Sequence, residues 1–399
     1  MPRFEPFRAL RYAHAPLDLV WAPPYDVLSD ADRAELAARH PDNIVHVDVP
    51  LESDGSGRYE SAARTLRSWV ANDVLVRDER PSFTLYRMTF VDPTGRRRST
   101  VGVIGALEVV DEGAGGVLPH ERTTPKAKTD RLDLTRATRC NLSPVWGLSL
   151  TTGLTDLLQQ PGEALGSVEI DGVLHEVERV DESARVAAIA AAVAANDVVI
   201  ADGHHRYAIS RTFRDEEREA GHRGDAELVL TYVGELVEEQ LSVEAIHRLY
   251  TGIDATSLAG ALEPFFEIAP AGPIEPGITA EMARRGALVL VRPDRTGLFL
   301  TPRSGAFGGV RDLDGARLEH ALASTVHEVT YQHGVDLVAD IVASGRATAG
   351  VLIRPVTVAE IRRTADEGLL MPPKSTFFTP KLRTGPVLRP LDDASHSVN

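Results

Sequence analysis

Residues 197–207 read DVVIADGHHRY. The stretch begins with consecutive β-branched residues, which predict a strand buried on both faces. Asp202 and Gly203 are turn residues, and after them apolar side chains recur four positions apart, as on a helix. We therefore expect a strand, a tight glycine turn and a helix, within a mixed α/β (α+β) fold.

This turn is suited to binding an anion. A helix that starts after a glycine presents backbone N–H groups without helical partners, together with the positive end of its dipole. Arg206 adds a guanidinium group that can grip phosphate oxygens. The residues of this turn predicted to bind the cofactor are Asp202, Gly203, His204, His205, Arg206 and Tyr207, and Gly203, His204, His205 and Arg206 among them would hold its phosphates. An ordinary strand–turn–helix connection with hydrogen-bonded histidines stays open as the alternative.

Composition limits the classes of protein. The chain has 399 residues, 43% of them hydrophobic, which is enough for two or three domains. A net charge of −15 argues against binding nucleic acid or an anionic membrane. Cys140 is the only cysteine, so no disulfide framework is expected. The N-terminal residues lack a signal-peptide layout and no apolar stretch approaches the ~20 residues of a membrane span, so we expect a cytoplasmic protein.

Local patterns suggest how the chain is organised. Hairpins are expected over 83–110 and 167–180, and an alanine-rich helix over 183–195. We expect residues 1–250 to form a catalytic and nucleotide-binding region, and residues 251–399 to form a C-terminal α/β region. A homodimer remains open.

Two further segments carry groups suited to phosphate chemistry. PHERT, at 119–123, supplies His120 and Glu121 as acid–base candidates and Arg122 as an anion ligand, with Lys126 close behind. A solvated basic loop is the alternative. Near the C-terminus, MPPKST places three predicted phosphate ligands after a rigid double proline, and we expect this segment to fold back on the site. These ligands are Lys374, Ser375 and Thr376.

The predicted substrate ligands lie elsewhere. Two prolines stiffen the loop that carries Tyr25 and Asp26. The segment NLSP supplies Asn141 and Ser143, and His247 follows a predicted strand. Helix-entry turns and ordinary caps are the alternatives for these residues.

The segments PPYDV, LPHERT, IADGHHRY and MPPKSTFFTPKL occur in this order, and the chain from Phe7 to Leu391 resembles the DUF1015 family of bacterial and archaeal proteins. DGHHRY also resembles the phosphate-binding turn of the ParB and sulfiredoxin superfamily, which includes free-serine kinases. Gly203 and Arg206 match the glycine and arginine of that turn. The resemblance implies a ParB/sulfiredoxin-like nucleotide-binding element within a larger mixed-sheet protein.

The function that follows is a nucleotide-dependent phosphotransferase that acts on a small hydroxylated metabolite, similar to the free-serine kinases. ATP or ADP would be the nucleotide, and Mg²⁺ would be recruited by the phosphates with help from Asp202. Glu121 or Asp26 would be the base, and His120 and His204 are further catalytic candidates. Two alternatives stay open: a nucleotide-dependent switch without significant turnover, and a metal-dependent phosphoesterase or hydrolase built on the histidines.

Overall fold

A computed structural model describes residues 1–52, 57–92, 94–121, 129–275 and 277–392. Contacts divide the chain into two units. The first unit is Met1–Ser242 together with Pro380–Asn399, and the second is Val243–Thr379. The sequence boundary was expected between residues 250 and 251. The C-terminal segment from Pro380 onward belongs to the first unit.

The strands and helices are numbered along the chain. The strands are β1 (Phe4–Glu5), β2 (Leu10–Tyr12), β3 (Leu75–Arg77), β4 (Phe83–Val91), β5 (Arg97–Glu108), β6 (Val117–Pro119), β7 (Cys140–Asn141), β8 (Val145–Ser149), β9 (Glu163–Ile170), β10 (Val173–Val180), β11 (Val198–Asp202), β12 (Leu228–Glu235), β13 (Ser242–Glu244), β14 (His247–Thr251), β15 (Phe266–Pro273), β16 (Leu288–Val291), β17 (Thr296–Pro302), β18 (Glu328–Gln332), β19 (Ala349–Leu352), β20 (Phe377–Thr379) and β21 (Arg389–Pro390). The helices are α1 (Leu17–Val20), α2 (Asp30–Arg39), α3 (Val45–Asp48), α4 (Arg58–Ala71), α5 (Thr129–Thr138), α6 (Leu154–Gln159), α7 (Ser183–Ala194), α8 (His204–Glu219), α9 (Ala255–Leu262), α10 (Ile278–Arg285), α11 (Asp314–Ala321), α12 (Val335–Ala343) and α13 (Val358–Asp366).

The first unit is built on a mixed sheet. Its strand order over the described residues is β6-β11-β8-β12-β5-β4-β10-β9, and β1 also pairs with β5. Two pairs are parallel, β11 with β6 and β12 with β8, and the other pairs of this sheet are antiparallel. Helices α6, α7 and α8 pack on this sheet through Leu154, Leu158, Ile189, Val193 and Tyr207. The strand that carries the Gly203 turn is therefore internal, with a neighbour on each side.

A second core of the first unit joins its N-terminal helices to its C-terminal segment. Leu36, Ile44, Leu66 and Trp69 from the helical region pack together with Leu388. The backbone N–H of Leu10 donates to the carbonyl of Leu388 at 3.0 Å, and the amide of Leu388 donates back at 3.0 Å. Strand β21 pairs with β7. These pairings hold the C-terminal segment within the first unit.

The second unit contains an antiparallel sheet in the order β15-β17-β16-β19-β14-β18. Alternate residues of β16 enter different cores, as the period of two of a strand requires. Leu288 and Leu290 pack in the core that holds helices α9 and α11. Val289 and Val291 pack in the core that holds α10 and α12. Both faces of this sheet are thus covered by helices.

The local predictions are confirmed. The hairpins form between β4 and β5 and between β9 and β10, and the alanine-rich helix is α7. Val198, Val199 and Ile200 are all buried, as expected for a strand covered on both faces. The mixed α/β class is likewise confirmed.

Gly102 in β5 makes room for the buried ring of Tyr232, since a Cβ on Gly102 would lie 2.2 Å from Tyr232 Cζ. The ring is held edge-on by Tyr86 and Trp146, with centroids 6.1 and 5.5 Å away. We expect Gly102→Ala to lower the free energy of unfolding by about 1–3 kcal/mol through overpacking, measured by urea denaturation. Gly260→Ala is the control, because nothing lies within 4 Å of that Cβ. Equal losses in both variants would contradict this account.

Candidate active site

The Gly203 turn has the predicted geometry. Strand β11 ends at Asp202, Gly203 adopts a left-handed conformation with φ of +85°, and α8 begins at His204. A Cβ on Gly203 would lie 3.0 Å from Arg206 Nε. Glycine is therefore favoured here by its backbone angle and by the guanidinium that folds over it.

The guanidinium of Arg206 is held by internal contacts. Its Nη2 donates to Asp202 Oδ2 at 2.8 Å, its Nη1 donates to the carbonyl of Pro144, and Asp26 Oδ2 lies 3.8 Å away. Nε has no hydrogen-bond partner among the described residues. Burial works to lower the pKa of Arg206, but the carboxylates of Asp26 and Asp202 outweigh it, so the pKa is raised. The group is charged and fixed, and an incoming anion would have to share it with two carboxylates.

Both oxygens of Asp202 face cations. Oδ2 accepts from Arg206, and Oδ1 accepts from Lys381 Nζ at 3.1 Å. Burial works to raise the pKa of Asp202, but Lys381 and Arg206 lower it to about 2. The expected Mg²⁺ ligand thus already has two cationic partners, so the residues present do not fit the metal ion. Among the described residues, no group of three His, Cys, Asp or Glu side chains is placed to hold a metal ion.

A cleft that is open to solvent lies beside the turn, within the first unit. Its polar lining comes from five separate parts of the chain: the loop before α2, the end of α3, α5, β7 with the segment after it, and α8. The lining residues are Tyr25, Asp48, Arg131, Leu134, Thr135, Cys140, Asn141, Leu142, Ser143, Arg206, Ile209, Ser210 and Val229. Predicted substrate ligands and a predicted phosphate ligand therefore share one cavity wall.

Asp48 is the residue of this cleft that the sequence did not reveal. It is 2% exposed, and its Oδ2 has no hydrogen-bond partner in the described part of the chain. Arg131 Nη1 donates to the Asp48 carbonyl and lies 3.4 Å from Asp48 Oδ1. Burial raises the pKa of Asp48, with Arg131 and Arg206 partly opposing it. A buried carboxyl group with an unpartnered oxygen in a cleft is a candidate proton acceptor.

Arg131 connects the two sides of the cleft. Its guanidinium stacks over the ring of Tyr25, with Cζ 4.3 Å from the ring centroid, and its Nε donates to Asp130 at 2.8 Å. The residue lies three positions beyond the basic run that follows PHERT. Arg122 and Lys126 lie outside the described residues, and their predicted role stays a prediction.

The histidines of the two central motifs are brought together. Strand β6 pairs in parallel with β11, which places Pro119 opposite Ile200. The rings of His120 and His204 are consequently 5.1 Å apart between centroids. His120 is completely buried, its Nδ1 lies 2.5 Å from the carbonyl of Ile200, and burial lowers its pKa. Glu121 follows directly and is half-buried, and so is His205 in the first turn of α8.

Several other predicted ligands already have structural contacts. The hydroxyl of Tyr207 accepts from the amide of Val110 at 2.8 Å and donates to the carbonyl of Glu108 at 3.0 Å. Asn141 Oδ1 accepts from the amide of Leu230 at 3.1 Å, while Ser143 lines the cleft. The roles assigned to these residues stay predictions.

The remaining predicted ligands belong to the second unit. His247 is buried, and its Nδ1 accepts from the amide of Ile353 at 3.2 Å. The carbonyl of Lys374 accepts from Arg248 Nη1 at 3.0 Å, and Ser375 Oγ donates to the carbonyl of Pro372 at 2.7 Å. Thr376 is also buried. The expected return of this segment to the turn stays a prediction.

The fold and the cleft define a mixed α/β protein in which a glycine turn adjoins a pocket rich in ionisable groups. The chain belongs to the family described as "Protein of unknown function (DUF1015)", whose profile matches residues 4–316. This confirms the family resemblance. A comparison with curated proteins gives no match.

Three solved structures show a distant likeness. A conserved hypothetical protein from Pyrococcus furiosus is 12% identical, with 68% of this chain and 92% of that chain covered and a TM-score of 0.37. A free serine kinase in complex with AMP is 14% identical, with 69% and 89% covered and a TM-score of 0.38. SbnI with a C-terminal truncation, from Staphylococcus aureus, is 14% identical, with 73% and 90% covered and a TM-score of 0.38.

No helix in the described ranges has both the length and the apolar character needed to cross a bilayer.

The raised pKa of Asp48 has a consequence for stability. A carboxyl group whose pKa is higher in the folded state favours folding below its unfolded pKa, and this contribution is lost as the pH rises through the folded pKa. We therefore expect Asp48→Asn to raise the melting temperature by a few degrees at pH 7–8, which corresponds to a gain of about 1 kcal/mol in the free energy of unfolding. The gain should shrink toward pH 4 in thermal melts.

Asp32→Asn is the matched control, because hydrogen bonds from Ser29 lower the pKa of this exposed capping carboxylate. The expected change in melting temperature has the opposite sign. Asp32 favours folding above its unfolded pKa, so Asp32→Asn should melt at a lower temperature than wild type at pH 7, and the difference should shrink as the pH falls. A melting temperature of Asp48→Asn that falls further below wild type as the pH rises would refute the assignment.

Proposed function

We propose that this chain is a nucleotide-dependent phosphotransferase that acts on a small hydroxylated metabolite. The observation that carries the proposal is the cleft beside the Gly203 turn. There a buried acid, Asp48, shares one cavity with two fixed guanidinium groups, those of Arg131 and Arg206. The local resemblance of DGHHRY to the turns of free-serine kinases supports the same chemistry.

Phosphoryl transfer depends mainly on positioning and on positive charge around the transferred group. Arg131 and Arg206 supply this charge in the cleft, and the start of α8 adds its amide groups and dipole. Arg122 and Lys126 are further proposed phosphate ligands, because they precede the helix that carries Arg131. ATP or ADP would be the phosphoryl donor and therefore a substrate.

Among the carboxylates, Asp48 best suits the general base. It is buried, its Oδ2 lacks a partner among the described residues, and its pKa is raised by burial. Asp26, by contrast, is 42% exposed and lies 3.8 Å from the guanidinium of Arg206. We assign Asp26 to positioning of Arg206 or of a substrate amine. Glu121, His120 and His204 keep their proposed catalytic roles, although they do not line this cleft.

The proposed step is a single displacement. The acceptor hydroxyl oxygen forms a bond to the terminal phosphorus of the nucleotide, and its proton passes to the carboxylate of Asp48. The bond between that phosphorus and the bridging oxygen breaks, and its electron pair leaves with the shortened nucleotide. The products are a phosphorylated metabolite and a nucleotide with one phosphate fewer. Asp202 does not hold Mg²⁺ in this step, because its two oxygens already pair with the side chains of Arg206 and Lys381.

The test of function is consumption of ATP or ADP with and without an acceptor such as serine. We expect turnover only with the acceptor, and Asp48→Asn should lower kcat about 10²–10⁴-fold, the range of general-base catalysis. Asp133→Asn, a surface change on α5 where Asp133 pairs with Arg136, should leave turnover unchanged. Binding of nucleotide without any acceptor-dependent turnover would favour the switch and overturn the transferase.

Nucleotide binding is tested separately by thermal shift. In Arg206→Gln the stabilisation by ATP or ADP should disappear, whereas about 2.7 kcal/mol is expected at 100 times the dissociation constant when binding is intact. The unliganded variant should also melt lower than wild type, because the change leaves Asp202 with one cationic partner fewer.

Arg211→Gln is the matched control on the same helix, since Arg211 pairs with Glu112 at 2.8 Å on the surface. Its nucleotide shift should equal that of wild type. If ATP or ADP stabilised Arg206→Gln as much as wild type, the Gly203 turn would not be part of the nucleotide-binding site.

A further inference from the structure

A second cavity of the first unit has no role in the chemistry above. It is open to solvent, and strand β10, the hairpin turn before it and the C-terminal segment supply most of its wall. The lining residues are Pro23, Asp171, Val173, His175, Pro380, Lys381 and Arg383. Three of them carry nitrogen donors.

His175 has an unused donor. The residue is completely buried and its Nδ1 lies 2.8 Å from the hydroxyl of Tyr86. The backbone amide of Arg383 donates to that same hydroxyl at 3.4 Å, so the phenol is able to direct its own proton to Nδ1. The ring proton then resides on Nε2, which has no partner among the described residues. A buried N–H without a partner is destabilising, and an acceptor atom of a ligand would restore its hydrogen bond.

Two cations line the same cavity as this imidazole. Arg383 is 9% exposed, and its Nη2 donates to Asp171 Oδ2 at 2.5 Å. Asp171 is itself 78% exposed, so its attraction for Arg383 is screened by water and readily exchanged for that of another anion. Lys381 contributes the second charge and is held in place by Asp202.

We propose that this pocket binds the oxyanion of a small molecule, a carboxylate or a phosphate group, through His175 Nε2–H, Arg383 and Lys381. A planar guanidinium, an ammonium and a ring N–H are three donors without an acceptor among them, which matches a group with several acceptor oxygens. The imidazole is neutral at pH 7, because burial and then Arg383 lower its pKa to about 4. The pocket needs no nucleotide and no turnover, so it goes beyond the proposed function.

The experiment follows the His175 ring directly in the full chain. The side chains are labelled with ¹⁵N, and the histidine signals are recorded during titration with inorganic phosphate and, separately, with D-glycerate up to about 10 mM. We expect one of the two to shift the Nε2 resonance of His175 saturably. The probe that saturates at the lower concentration identifies phosphate or carboxylate as the ligand chemistry.

Variants then locate the site. Arg383→Gln should weaken binding of that probe at least tenfold, whereas Arg3→Gln, which removes a surface arginine paired with Glu108, should not. Arg206→Gln should leave the His175 response in place, which separates this pocket from the nucleotide site. No response of His175 to either probe, or a response that Arg383→Gln leaves intact, would overturn the proposal.

Discussion

The carboxylate of Asp202 is the constraint on which the site depends. It stands at the end of an internal strand and binds Arg206 through one oxygen and Lys381 through the other. A carboxylate that is largely removed from water is costly unless its oxygens are paired, and Asp202, with a side chain 24% exposed, pairs both of its oxygens with cations. Arg206 lines the cleft and Lys381 lines the second cavity, so one carboxylate pairs with a cation of each cavity.

This pairing changes the meaning of the motif. The sequence predicts that Arg206 is a phosphate ligand. In the structure it forms an i, i+4 ion pair with Asp202, the aspartate of the same motif. The arginine is therefore preorganised, and an anion that binds there must compete with a carboxylate already in place. Preorganisation of the guanidinium lowers the entropy cost of binding an anion, whereas competition from the Asp202 carboxylate lowers the favourable interaction energy. Arg131 lines the same cleft, and its guanidinium is likewise shared with carboxylates, those of Asp130 and Asp48.

Features set by local patterns were predictable from the sequence: the glycine turn, both hairpins, and helix α7. Asp48, His175 and Lys381 were not, because their importance comes from burial and from neighbours distant in the chain. Asp48 stands in HVDVP, which has no motif, and only the fold removes it from water. The same cause places the segment after Pro380 in the first unit, since its pairing with β7 spans most of the chain.

Asp48 and Asp26 show how environment separates two identical side chains. Both lie near Arg206, but Asp26 is exposed and solvated, whereas Asp48 is buried with one oxygen unpartnered in the described structure. A buried carboxyl group with an unpartnered oxygen lowers the stability of the fold. Folded proteins keep such groups chiefly at functional sites. Arg131 compensates only in part, because its closer contact is with the Asp48 carbonyl and not the carboxylate. A carboxylate kept basic in this way can take a proton from a hydroxyl that a solvated carboxylate would leave in place.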